Sequence, residues 1–220
     1  MEKILCSKCR GNVIKNGFQN NKQRYKCKVC TYRFQLEYTY KAYNPETNNS
    51  IKQLLKESCG IRSISRIIGI STKTVLSRIL KISNQIKAPC FNKLGCKFEV
   101  DELWSFISNK ENRTWITYAI ERQSKSVITF FVGRKTKENI KPLINKLLLL
   151  QPSRIYTDRL NIYPSMIPNE IHKVFKNCTN IIERNNLTLR THIKRLARKT
   201  ICFSKNKIYL EAHLRIYFWG

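Results

Sequence analysis

The chain has 220 residues, enough for two or three small domains with separate cores. Its 42 Lys and Arg against 14 Asp and Glu give a formal charge of +28, which argues against a small neutral substrate and for a polyanionic partner, nucleic acid first. The cations are spread along the chain, 20 of them before residue 101, so no single basic tail explains the charge. No apolar run approaches the roughly 20 residues that would span a membrane, and no leader-like segment opens the chain. Nine cysteines without an export signal point to thiol or metal roles in a reducing bacterial cytoplasm, not to disulfides.

In chain order, the first motif is Cys6-x-x-Cys9, seventeen residues, then Cys27-x-x-Cys30. Each pair grips a metal from a tight turn, and two such turns supply the four thiolates of a tetrahedral zinc site. Residues 12–14 and 24–26 read as short β pieces, joined by an Asn16-Gly17 turn and a polar link over 19–23. The spacing predicts a zinc ribbon over 1–44, with a core too small to fold without structural Zn2+. An extended aromatic stretch over 32–43 follows, and Pro45 with Asn48-Asn49-Ser50 opens a helical region.

Three helices fit residues 45–84. Ile51, Leu54 and Leu55 have helical spacing; Ile61, Ile64 and Ile67 resume it after Cys59-Gly60; and Ser71 caps a third segment whose Val75, Ile79 and Ile82 face inward. This is the pattern of a helix-turn-helix, in which the second helix of the pair enters the major groove and Lys73, Thr74, Ser77 and Arg78 contact DNA. An ordinary helical hairpin has the same spacing.

Residues 85–97, with Pro89 and Gly95, read as a linker, after which the period changes to that of strands. Segments 97–108, 113–121 and 126–132 form an antiparallel meander, 137–149 a helix capped by Thr136 with Pro142 near its start, and 154–157 a short strand ending at Asp158. A loop over 159–169, a strand over 172–175 and a long final helical region complete the chain. The fold expected is therefore multidomain: zinc ribbon, all-α helix-turn-helix, then an α/β catalytic core with a mixed sheet over 98–220.

Only two aspartates occur, Asp101 within the first predicted strand of this core and Asp158 at the end of the fourth. Strand carboxylates in so basic a chain are either paired with Lys and Arg or gathered around a divalent cation. Glu183 favours the second reading, because it opens a helix whose core residues Ile182, Leu189, Ile193 and Leu196 lie on a different face. Its own face carries Leu187, Arg190 and Lys194, an acid followed by bases, as phosphoryl transfer with metal ions requires.

Several segments together resemble the insertion-sequence-one family of bacterial transposases with its two reading frames joined: NKQRYKCKVC, GIRSISRIIGIST, VDELW, YTD, IIERNNLTLRTHIKRLARKTICFSK and HLRIYF. The resemblance implies an RNase H-like core with an Asp-Asp-Glu triad at Asp101, Asp158 and Glu183, and Arg190 as its basic partner. It implies Mg2+ or Mn2+ as the catalytic ion, and double-stranded DNA, both element ends and target, as substrate. The family usually has Gly after the second aspartate; this chain has Arg159.

Arg184, Lys194, Arg195, Arg198 and Lys199 are then read as phosphate contacts. Synapsis of two DNA ends calls for a homo-oligomer on DNA in a nucleoid-associated, cytoplasmic protein. The competing reading is a non-catalytic DNA-binding regulator whose C-terminal half dimerises. His172, His192 and His213, the remaining five cysteines, and Trp104, Trp115 and Trp219 read as structural.

Overall fold

The computed structural model describes residues 4–175 and 178–220 and divides into two compact units, Met1–Thr47 and Asn48–Gly220. In the first, strands β1 (Val13–Gln19), β2 (Lys22–Cys27) and β3 (Arg33–Gln35) form an antiparallel sheet in that order. The β1–β2 turn is made by Asn20 and Asn21, both at positive φ (50° and 57°), the backbone that a two-residue hairpin turn of primed type demands. The Asn16-Gly17 signal marks something else: Gly17, at φ 69°, sits inside β1 where the register shifts between Lys15 and Phe18, a bulge and not the turn. Cys6, Cys27 and Phe34 form this unit's small core.

The second unit opens with α1 (Thr47–Lys56), α2 (Ile61–Ile68) and α3 (Thr72–Gln85). Gly69 ends α2 in the left-handed conformation at φ 74°, as helix C-termini favour. The Ser71 side chain then accepts a hydrogen bond from Thr74 N at 3.1 Å and caps α3. Val75, Ile79 and Ile82 are buried, as their spacing predicts.

Strands β4 (Lys97–Phe106), β5 (Arg113–Glu121) and β6 (Val127–Gly133) form the expected antiparallel meander. After α4 (Lys137–Leu148), β7 (Arg154–Tyr156) and β8 (His172–Lys173) add to the other edge of β4, parallel to it, giving the order β6-β5-β4-β7-β8. Helices α5 (Asn180–His192) and α6 (Lys207–Trp219) follow.

The final helical region is interrupted after His192, because Ile193 and Leu196 both turn into the core and a 3-10 turn at Lys194–Leu196 meets that spacing of three.

Both sheet faces are covered. On one, Phe98, Val100, Ala119 and Ile128 pack with Ile140, Ile144 and Leu147 of α4 and with Tyr163. On the other, Leu103, Ile116, Tyr118 and Val132 pack with Ile182 and Leu189 of α5 and Leu210 and Leu214 of α6. Helix α3 lies against α6, which draws the three-helix segment into the same unit as the sheet. Ile116, fully buried in the α5–α6 layer, is a sensitive point: Ile116→Ala is expected to lower unfolding free energy by about 2–5 kcal/mol, read from urea denaturation.

Candidate functional site

The site follows from where a strand pairing stops. β4 and β7 pair at Lys97↔Arg154, Phe98↔Ile155 and Glu99↔Tyr156 and no further, while β4 itself continues to Phe106. Asp101 stands two residues beyond Glu99 and Asp158 two beyond Tyr156, so the aspartates come level across the gap that opens. Carboxylate oxygens of Asp101, Glu102 and Asp158 all lie within 4.8 Å of one another.

Sequence alternation hides Glu102, since neighbours on a strand point to opposite faces. That alternation holds here. Asp101 is met from the α5 side by Asn186, and Glu102 from the α4 side by the hydroxyl of buried Tyr163. With no strand filling the gap, both still reach Asp158.

Burial pushes the Asp101 carboxyl up to about 6, helped by the charges of Asp158 and Glu183. Burial likewise pushes Glu102 up to about 7, helped by Asp158 and Asp101 and opposed by Lys135. Acids crowded in this way need protons or a cation between them. Their donor set is all oxygen, which suits a hard divalent ion such as Mg2+ or Mn2+.

Asp158 is exposed, and its Oδ1 accepts from Leu160 N at 3.0 Å. Arg159, inside that turn, is exposed and not among the residues with positive φ, so its backbone does not require a glycine.

Glu183 lies in the first turn of α5, exposed and outside the group of three, with Oε1 accepting from Thr179 Oγ1 at 2.8 Å. The start of α5 is tied to β4 through Glu99, which is fully buried and shares the sheet face of Asp101. Its Oε2 accepts from Ile182 N at 2.8 Å, and Arg122 Nε lies 3.0 Å from Oε1. The Arg122 guanidinium in turn covers the Tyr156 ring at 4.3 Å. Burial raises the Glu99 carboxyl, against the backbone hydrogen bond from Ile182 and the charge of Arg122.

Arg190 is half-buried, donating to Trp104 O at 3.2 Å and Leu196 O at 3.1 Å; it braces β4 from below. Arg184, Lys194, Arg198 and Lys199 are exposed. Arg195 differs from its expected surface role: its guanidinium is turned inward to His213 Nε2 (3.0 Å) and Ser204 Oγ (3.2 Å). On α3, Lys73 and Ser77 are exposed, and Thr74 and Arg78 half-buried. On the Glu102 side, Arg113, Trp115, Arg134 and Lys135 line an open groove of about 330 Å³, with the Lys135 ammonium 4.0 Å from the Trp115 ring centre.

In the first unit, Sγ atoms of Cys6 and Cys30, Cys9 and Cys27, and Cys9 and Cys30 lie 3.6, 3.5 and 3.4 Å apart. The edge of a tetrahedron with Zn–S bonds of about 2.3 Å is about 3.8 Å, so the four sulfurs fit Zn2+. Backbone N–H groups of Cys30 and Val29 point at Cys27 Sγ from 3.4 and 3.3 Å and hold its thiol down to about 6, favouring the thiolate a metal needs.

A family profile described as IS1 transposase matches residues 94–217. The insertion element iso-IS1n protein InsB of Shigella dysenteriae is 39% identical over 118 residues, 54% of this chain and 88% of that protein. The insertion element IS1 protein InsB of Shigella flexneri is 33% identical over 118 residues, with the same shares. Among solved structures, the HTLV-2 integrase catalytic core domain in complex with magnesium overlaps 57% of this chain and 84% of its own, at 14% identity and a TM-score of 0.35. Among the described residues, no helix is long and apolar enough to cross a membrane.

Two outcomes test this geometry. Asp101 holds its proton more tightly folded than unfolded, so the stabilisation is complete below about pH 4 and is lost as pH rises through about 6. The Tm of metal-free Asp101→Asn relative to wild type should therefore move in the variant's favour from pH 5 to pH 8, at about 2–4 °C per kcal/mol; a flat difference would contradict the crowding. Chelation should unfold the cysteine unit, seen as loss of dispersed amide resonances from residues 12–35 that Zn2+ restores.

Proposed function

The chain belongs to the IS1 transposase family, and from that premise we propose that it binds the terminal inverted repeats of an insertion element and cuts and joins DNA at the Asp101–Asp158 centre. The observation that carries this reading is the convergence of Asp101, Glu102 and Asp158 at the open edge of β4, inside the matched stretch. The sheet order, with β5 alone running against the other four strands, supports an RNase H-like core.

Asp101 and Asp158 would hold Mg2+ or Mn2+, with Glu102 from the α4 side and Glu183 from the α5 side as further ligands. When bound, the metal supplies Lewis acidity toward a phosphodiester and lowers the pKa of an attacking hydroxyl. In the first step, water attacks the phosphorus at the element's end, its P–O bond forms as the bond to the 3′ oxygen breaks, and a free 3′ hydroxyl results. In the second, that hydroxyl attacks a target phosphodiester and a target 3′ oxygen leaves. No covalent bond to the protein is required.

The chain's own residues orient and neutralise. Glu99 and Arg190 fix α5 and β4 beneath the acids. Arg184, Lys194, Arg198 and Lys199 on one side, and Arg113, Arg134 and Lys135 on the other, meet the phosphate backbone. Helix α3, with Lys73, Thr74, Ser77 and Arg78, reads the major groove, and the Zn2+-stapled ribbon adds a second DNA contact. Joining two ends in one event calls for a homo-oligomer on DNA, in the bacterial cytoplasm.

Asp158→Asn should abolish strand joining in Mg2+ while leaving the mobility shift of terminal-repeat DNA intact. Joining at wild-type rate by that variant would remove Asp158 from the reaction. Wild-type protein that shifts DNA and never nicks it would identify a regulator instead.

A further inference from the structure

We propose that Asn186 is a positioning residue that sets the plane of the Asp101 carboxylate, and that the buried hydroxyl of Tyr118 fixes Asn186 in turn. The inference rests on reading Asp101 as a cation ligand. Among the described residues each Asp101 oxygen has one partner: Oδ1 accepts from Glu102 N at 2.8 Å, and Oδ2 from Asn186 Nδ2 at 2.6 Å. Two donors, one from β4 itself and one from α5, fix the carboxylate's rotation and leave a lone-pair site on each oxygen for a cation.

Asn186 is itself set. Tyr118 stands directly opposite Asp101 in the β4–β5 register and is fully buried. Its hydroxyl donates to Asn186 Oδ1 at 2.8 Å, with Ile182 O at 3.2 Å, and accepts from Asn185 Nδ2 at 3.1 Å. With its oxygen on the Tyr118 hydroxyl, the Asn186 amide turns its nitrogen to Asp101, whose carboxylate can only accept.

The choice of side chain is informative in a chain with 42 Lys and Arg. A lysine or arginine at this distance would neutralise part of the Asp101 charge and compete with a cation for it. An amide holds the same oxygen without contributing charge, so the negative potential of the site survives. Groups that orient metal ligands from behind alter metal affinity by about 10- to 100-fold when removed.

The test uses the full-length chain with Mn2+ as probe, free Mn2+ being counted by electron paramagnetic resonance, alongside Mn2+-dependent nicking of terminal-repeat DNA. Asn186→Ala should weaken Mn2+ binding about 10- to 100-fold and raise the Mn2+ concentration for half-maximal nicking by the same factor, with DNA affinity unchanged. Tyr118→Phe, which keeps the ring in the core, should shift both midpoints in the same direction by a smaller factor. A fall in the active fraction with unmoved midpoints would mean structural damage only and would overturn the proposal, as would wild-type Mn2+ affinity in both variants. Wild-type protein that neither binds Mn2+ nor nicks DNA would instead refute the functional reading on which the proposal stands.

Discussion

Carboxylates forced together in a part-buried space repel one another unless a proton or a cation lies between them, and the larger unit of this protein is organised around such a conflict. Five of the chain's fourteen acids, Glu99, Asp101, Glu102, Asp158 and Glu183, gather around the point where β7 ends and β4 goes on. In a chain that carries three basic residues for every acid, chance placement would scatter them. The crowding is maintained by hydrophobic packing on both sheet faces, which holds β4, α4 and α5 in place whatever the charges prefer.

The two faces contribute differently. From the α4 side come a phenol and a nearby ammonium, Tyr163 and Lys135, both acting on Glu102. From the α5 side come an amide, Asn186, and a further acid, Glu183. One face thus tempers its carboxylate with positive charge, while the other holds its carboxylate by neutral hydrogen bonds. Glu99, with its partner Arg122, settles a different problem: it satisfies Ile182 N at the first turn of α5 and so sets how far α5 stands from the aspartates.

What could be read from the sequence was whatever is encoded locally. The cysteine pairs announce the convergence of their four sulfurs by spacing alone, and Val75, Ile79 and Ile82 announce the inward face of α3 by helical period. Asp101 and Asp158 stood out because they were scarce. Glu102 did not, because alternation assigns it to the opposite face, and only the missing neighbour strand lets it join. Tyr118 and Asn186 become functional candidates through the β4–β5 register and the docking of α5, neither of which any local pattern specifies. Arg195 looked like one more surface cation because its partners, Ser204 and His213, lie 9 and 18 residues further along the chain. Asn16-Gly17 was misleading because a bulge and a turn ask for the same left-handed backbone.

The opposed orientation of Asp101 and Glu102 makes the centre intolerant of changes in strand length. A one-residue deletion between Lys97 and Asp101 would turn the rest of β4 over, carrying the aspartate to the Tyr163 side and the glutamate to the Asn186 side. Leu103 and Trp104 would exchange layers with them. Point substitution can drift along this strand one residue at a time, whereas indels there dismantle the carboxylate cluster and the hydrophobic layers in a single event.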